Sequence, residues 1–114
     1  MEFSIIGGSA FIGSVPDFLS SVKSVSSANK TIIQAMDASK IAGEEHVRFA
    51  IKKAIRAIDN KSNVAKDAGI EIMRYASGKR QIGEAFSLGV HEGQMDLVFA
   101  VAGDKNPWKN PFLN

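Results

Sequence analysis

DLVFAVA, Asp96 to Ala102, is apolar at every position after its first residue. A strand with one wetted face alternates apolar and polar side chains, so an unbroken apolar run of this length suits a strand covered on both faces. Helices must then supply the cover, and the chain upstream is rich in helical patterns. Gly43 to Asp59 places Val47, Ala50, Ile51, Ala54, Ile55 and Ile58 on one stripe. DNKSN, Asp59 to Asn63, is a turn cluster. A further helix is predicted from about Asn63 to Ser77, with Ala65, Ala68, Ile72 and Ala76 in phase. Gly78 fits the left-handed position at which helices end. Another helix starts near Arg80, turns Ile82, Ala85 and Phe86 inward, and is ended by Gly89 and the polar His91-Glu92-Gly93.

Toward the N-terminus the patterns are shorter. Glu2 to Ile6 alternates imperfectly before Gly7-Gly8 and is predicted as a strand. Pro16 and Asp17 suit a first helical turn, and Val15, Phe18, Leu19 and Val22 recur at helical spacing, so a short helix is expected from Pro16 to Ser24. The Ser-rich SVSSANK, Ser24 to Lys30, reads as a loop, and TIIQAM, Thr31 to Met36, as a second strand. Asp104 to Asn114 carries two prolines and two aromatics and is treated as a tail. The expected architecture is a single α+β domain over 1–103 with a tail over 104–114. Its order is β-α-β-α-α-α-β, with helices packed on a small antiparallel or mixed sheet.

Bulk properties narrow the function. With 114 residues, 45% hydrophobic and 23% charged, the chain can bury a core. It has no cysteine, which excludes disulfides, thiolate metal sites and Cys nucleophiles. The net charge of +2 is too small to argue for a nucleic-acid partner without a local cluster. MEFSIIGGSAFIG lacks the basic start of a signal peptide, and no run approaches the length of a membrane span. A cytoplasmic protein is expected.

Catalytic and nucleotide motifs are poorly supported. GGSAFIG, with Gly7, Gly8 and Gly13 between a strand and a helix, does not match G-x-G-x-x-G, and a turn is expected there. Gly78-Lys79 lacks the strand, spacing and hydroxyl of a phosphate loop. His46 and His91 are the only histidines, and neither has a second ligand at metal spacing. Glu44 and Glu45, ahead of His46, suit the positive end of a helix. Ser77 has no visible base. No catalytic residue, metal or cofactor is expected.

Two basic features remain. Arg48, Lys52 and Arg56 recur every fourth residue and form a ridge, with Lys53 beside it. It reads as a solvated face or as a contact for an anionic partner. The second is YASGKRQIGEAF, Tyr75 to Phe86. Lys79 and Arg80 stand at the start of a predicted helix, where Asp or Glu would be preferred and where free N–H groups already favour anions. Such placement suits a visiting phosphate or carboxylate. Gln81 can read a base edge or sugar hydroxyl, and Tyr75 can offer a stacking face.

The segments MDASKIAGEEHVRFAIKKAIRA, NVAKDAGIEIMRYASGKRQIGEAF and MDLVFAV together resemble the kinase-binding subunit family of the KEOPS (EKC) complex, the PRPK-binding (TPRKB) family. YASGKRQI is the most specific part of the resemblance. It implies a non-enzymatic accessory subunit with no small-molecule substrate. Its implied partners are the PRPK-like kinase/ATPase and tRNA, in threonylcarbamoyladenosine (t6A) modification. Tyr75, Ser77, Gly78, Lys79, Arg80 and Gln81 would hold the single-stranded CCA end, with Arg48, Lys52 and Arg56 as further basic contacts. Members of this family commonly continue past the last strand into a helix that contributes to kinase binding. Here DKNPWKNPFLN follows, with Trp108 and Phe112 expected to pack back or to dock. The alternatives are a structural adaptor with a basic face for an acidic protein, and a small-molecule enzyme with an anion pocket at Lys79 and Arg80.

Overall fold

The computed structural model describes residues 2–78 and 89–103. The helix predicted from Arg80 and the tail over 104–114 lie outside those residues. The described elements are β1 (Glu2–Ile12), α1 (Val15–Asn29), β2 (Ile32–Asp37), a 3-10 turn (Ala38–Lys40), α2 (Glu44–Asp59), α3 (Ala68–Ser77) and β3 (Gly93–Gly103). The fold class is α+β, and the sheet is antiparallel throughout, in the order β1-β3-β2.

The apolar run is therefore the central strand. β1 pairs with β3 from Glu2 opposite Gly103 to Ile12 opposite Gly93. β2 pairs with the other side of β3, from Ile32 opposite Ala102 to Asp37 opposite Leu97. Alternate β3 residues serve two cores. Val98 and Ala100 join Met36, Val47, Ala50, Ile51, Ala54, Ile72, Met73 and Ala76 under α2 and α3. Met95 and Leu97 join Ile12 on the opposite face, with Val15, Phe18 and Phe99 packed against them. Burying each large aliphatic side chain of the first core contributes about 1.5–3 kcal/mol before entropy is charged.

Four expected boundaries are corrected. β1 does not stop at the glycines: Gly7 and Gly8 lie opposite Val98 and Leu97 inside the strand. Neither has a positive φ, and the full-length ladder to β3 carries them through. β3 likewise begins at Gly93, not Asp96.

The Ser-rich stretch is helix, not loop. Ser14 caps α1 by accepting from the Asp17 N–H, and Pro16 and Asp17 occupy the first turn as expected. Val25 extends the Val15, Phe18, Val22 rhythm, and Val22 and Val25 lie over Ile6, Ile33, Phe99 and Val101. Lys30 ends the helix in the left-handed conformation with φ 53°, its N–H returning to Ser26 and Ser27 carbonyls. The Ser26 hydroxyl donates to the Thr31 carbonyl, closing the same corner.

The helix expected from Asn63 starts instead at Ala68, because Glu71 reaches back. Its buried carboxylate accepts from the Val64 N–H at 3.2 Å and the Ala65 N–H at 3.1 Å, which holds that segment outside the helix. Asp67 then caps α3 by accepting from the Ile70 N–H at 3.0 Å. Arg74 completes the cluster with two bonds to Glu71, at 2.9 and 3.0 Å. One position later than Ala68, Gly69 lets the helix approach β2: a Cβ there would meet Gln34 Oε1 at 2.6 Å.

Burial alone would push the Glu71 carboxyl up. Hydrogen bonds from Arg74 and from the Ala65 and Val64 N–H groups outweigh it and hold the carboxyl below its ordinary value of 4.5. A lowered folded-state pKa means that the unfolded chain takes up protons first. The stabilisation is therefore complete above about pH 4.5 and is lost as pH falls through the folded value. Glu71→Ala leaves Arg74 and two backbone donors without their acceptor, and is expected to cost about 3 kcal/mol at pH 7. Urea unfolding at pH 7 and pH 3 checks this: the gap between variant and wild type should narrow at the lower pH.

Candidate nucleic-acid and partner interface

α3 delivers the corner singled out in the sequence. Gly78 ends the helix at φ 69°, ψ 14°, with its N–H bonded to the Tyr75 carbonyl at 3.2 Å. Gly78 is exposed, and Ser77 is half-buried with its hydroxyl donating to the Arg74 carbonyl at 2.9 Å. Lys79, Arg80 and Gln81 lie outside the described residues. Tyr75 differs from expectation. It is half-buried against the main core, and the Arg74 guanidinium stands 4.5 Å from its ring centroid. That face of the ring already has a cation on it and is closed to a base.

The corner is fixed from α2. His46 Nδ1 accepts from the Ala42 N–H at 3.0 Å, so the ring proton is assigned to Nε2, which donates to the Ala76 carbonyl at 2.6 Å. Ala76 is in the last turn of α3, where carbonyls lack helical partners. His46 thus caps α3 two residues before Gly78 and pins it to the start of α2. The sequence offered no signal for this contact, because the two residues are brought together only by the antiparallel docking of the helices.

Asp37 and His91 come together at the end of β2, with His91 Nε2 at 3.8 Å from Asp37 Oδ2. The Ser39 hydroxyl donates to Asp37 Oδ1 at 2.7 Å, and the Ser39 N–H to the same oxygen at 3.0 Å. The hydroxyl hydrogen bond from Ser39 is the main reason that the Asp37 carboxyl is lowered, against burial. A serine whose hydroxyl donates a hydrogen bond to a carboxylate in a local turn is held as a structural serine rather than activated by histidine.

The basic ridge does not behave as one unit. Arg48 pairs with Glu44 at 3.0 Å and Glu45 at 3.3 Å, and its guanidinium lies 5.5 Å from the centre of the Phe3 ring. Its charge is therefore largely answered within the fold. Lys52 and Arg56 are exposed. His46 and Arg48 are two residues apart, about 200° around the helix. Their contacts agree: one reaches α3, the other β1. The structure therefore places Arg48 on the flank of α2 away from the Tyr75–Gly78 corner.

The chain matches the family model of kinase binding protein CGI-121 over residues 17–111. It belongs to that family. The match bears out the resemblance to a kinase-binding subunit and spans α1 through β3 together with the Tyr75–Gln81 segment. No curated protein matches the chain. Among the described residues of this CGI-121 family member, no helix is long and apolar enough to cross a membrane.

His46→Ala should free the Ala42 N–H and the Ala76 carbonyl and cost about 1–3 kcal/mol. Thermal unfolding measures the loss. Amide hydrogen exchange should show it concentrated at the end of α3 and the start of α2.

Proposed function

We propose that the chain is an accessory subunit of the KEOPS complex, working in the cytoplasm in t6A modification of tRNA. It binds the PRPK-like kinase/ATPase and holds the single-stranded CCA end of tRNA with Ser77, Gly78, Lys79, Arg80 and Gln81. Residues 1–103 act as one domain and 104–114 as a tail. The family match supports the kinase half of this reading. The tRNA half rests chiefly on one observation: α3 stops at an exposed left-handed Gly78, pinned by His46, immediately before Lys79-Arg80-Gln81. A rigid helix end followed by two cations and an amide is suited to fixing phosphates while bases are read. A non-enzymatic role is supported by the engagement of both histidines in local contacts and by the Ser39–Asp37 turn.

Arg80→Glu tests the tRNA site. A carboxylate at the start of the helix that the sequence predicts from Arg80 would be favoured by about 0.3–1 kcal/mol, so thermal stability should hold or rise slightly. tRNA affinity should fall by about tenfold or more, roughly 1.4 kcal/mol, and wild-type binding should weaken steeply with salt. Lys61→Glu, at the opposite end of the α2–α3 pair, is the control and should cost much less. Equal losses in both variants would show diffuse attraction only. Removing the CCA end from the tRNA should abolish the difference between wild type and Arg80→Glu. Co-elution with the kinase and stimulation of its ATPase activity test the other half.

A further inference from the structure

We infer that the outer face of α2, built by Phe49, Lys52, Lys53 and Arg56, is the surface on which the protein kinase partner docks, by an apolar pocket rimmed with carboxylates. This assignment rests on the kinase-binding reading above and adds the surface and its chemistry.

Phe49 is out of phase with the stripe of Val47, Ala50, Ile51 and Ala54, and is 58% exposed on the solvent side of an amphipathic helix. Lys52, Lys53 and Arg56 follow it at i+3, i+4 and i+7, which puts all four on neighbouring positions of one face. Lys52 and Arg56 are exposed, and the Lys53 ammonium stands 5.4 Å from the Phe49 ring centroid. The charges on this face are less balanced than that of Arg48. Arg48 has Glu44 and Glu45 within reach, whereas on this face Arg56 alone has an acidic residue three or four positions away, Asp59, and Lys52 and Lys53 have none. Clustered cations repel one another on a helix, so the charge arrangement disfavours the isolated chain. The Lys53 contact stabilises the exposed ring modestly but leaves more than half of Phe49 in water.

Both features become favourable against one kind of partner. Aromatic side chains are frequent anchors at the centres of protein interfaces, and surrounding charges set specificity and association rate. A convex helix face carrying a ring at its centre fits a groove, with anchors at i, i+3, i+4 and i+7 spacing. Single-stranded nucleic acid prefers a basic groove that follows its backbone, which this face does not provide. Phe11 is more exposed, at 73%, but lies near the end of β1, away from this cationic face, so it serves as the comparison.

The experiment measures binding of the purified kinase to wild type, Phe49→Ala, Lys52→Glu/Arg56→Glu, Phe11→Ala and Lys23→Glu, with tRNA binding measured in parallel. Kinetics are recorded at low and physiological salt. Lys23 lies on α1, on the other side of the sheet, and is exposed. Phe49→Ala should weaken kinase binding by about tenfold or more, chiefly through faster dissociation. The double reversal should slow association and flatten its salt dependence. Phe11→Ala and Lys23→Glu should bind as wild type does, and all variants should keep their unfolding temperature. If wild type binds and the α2 variants bind equally well, this assignment is wrong and the kinase reading stands. Losses confined to tRNA binding would give the face to nucleic acid and overturn the assignment. A wild-type chain that does not bind the kinase overturns the kinase reading and this surface with it.

Discussion

The rest of the structure depends on β3 having no wetted face from Leu97 onward. A strand that is apolar on both sides must be flanked by strands along both edges and covered by helices above and below, because its backbone groups and its side chains all leave water together. β1 and β2 satisfy the edges in antiparallel register. α2 and α3 cover Val98 and Ala100, while α1 lies over Phe99 and Val101. The two covers are unequal. The α2–α3 side contains the fully buried Met36, Val47, Ile51 and Ile72, whereas α1 buries none of its residues completely. The firm side of the sheet is the side that carries the candidate interfaces.

Polar groups inside that firm layer set where the helices begin and end. Glu71 shapes the approach to α3 by taking two backbone donors and Arg74, and His46 closes the far end at Ala76. Both act through hydrogen bonds whose loss would leave buried partners unsatisfied, so they fix geometry more strongly than an apolar contact of similar size. The result is a short, rigid α3 that presents Gly78 at one end. Arg74, between the two, joins the layers of this arrangement: it answers the Glu71 charge and lies over Tyr75.

Charge on α2 is divided by the same packing. Glu44 and Glu45 face Arg48 at the start of the helix, where acidic residues also favour the helix dipole. Beyond that turn, Phe49, Lys52, Lys53 and Arg56 turn outward. What reads in sequence as one basic ridge is thus an answered arginine next to β1 and a separate aromatic-centred cationic face.

Periodicity carried most of the fold. The double-sided apolar run of β3, the α2 stripe, the Pro16-Asp17 helix start and the Gly78 stop are local patterns, and each forms where the sequence predicts it. Likewise, the family was legible from the motifs around Asp37 to Ala57 and Tyr75 to Ile82. Four features were decided only by tertiary structure. The ladder to β3 carries β1 through two glycines, and docking on the sheet makes helix of a Ser-rich segment whose composition favours turns. A carboxylate six residues downstream of Ala65 delays the start of α3. Finally, antiparallel docking of α2 on α3 brings His46 to Ala76 and commits Tyr75 to the core and to Arg74. Local patterns report the conformations a segment prefers, but which groups must be buried, and which partners remain to satisfy them, is fixed only when distant segments meet.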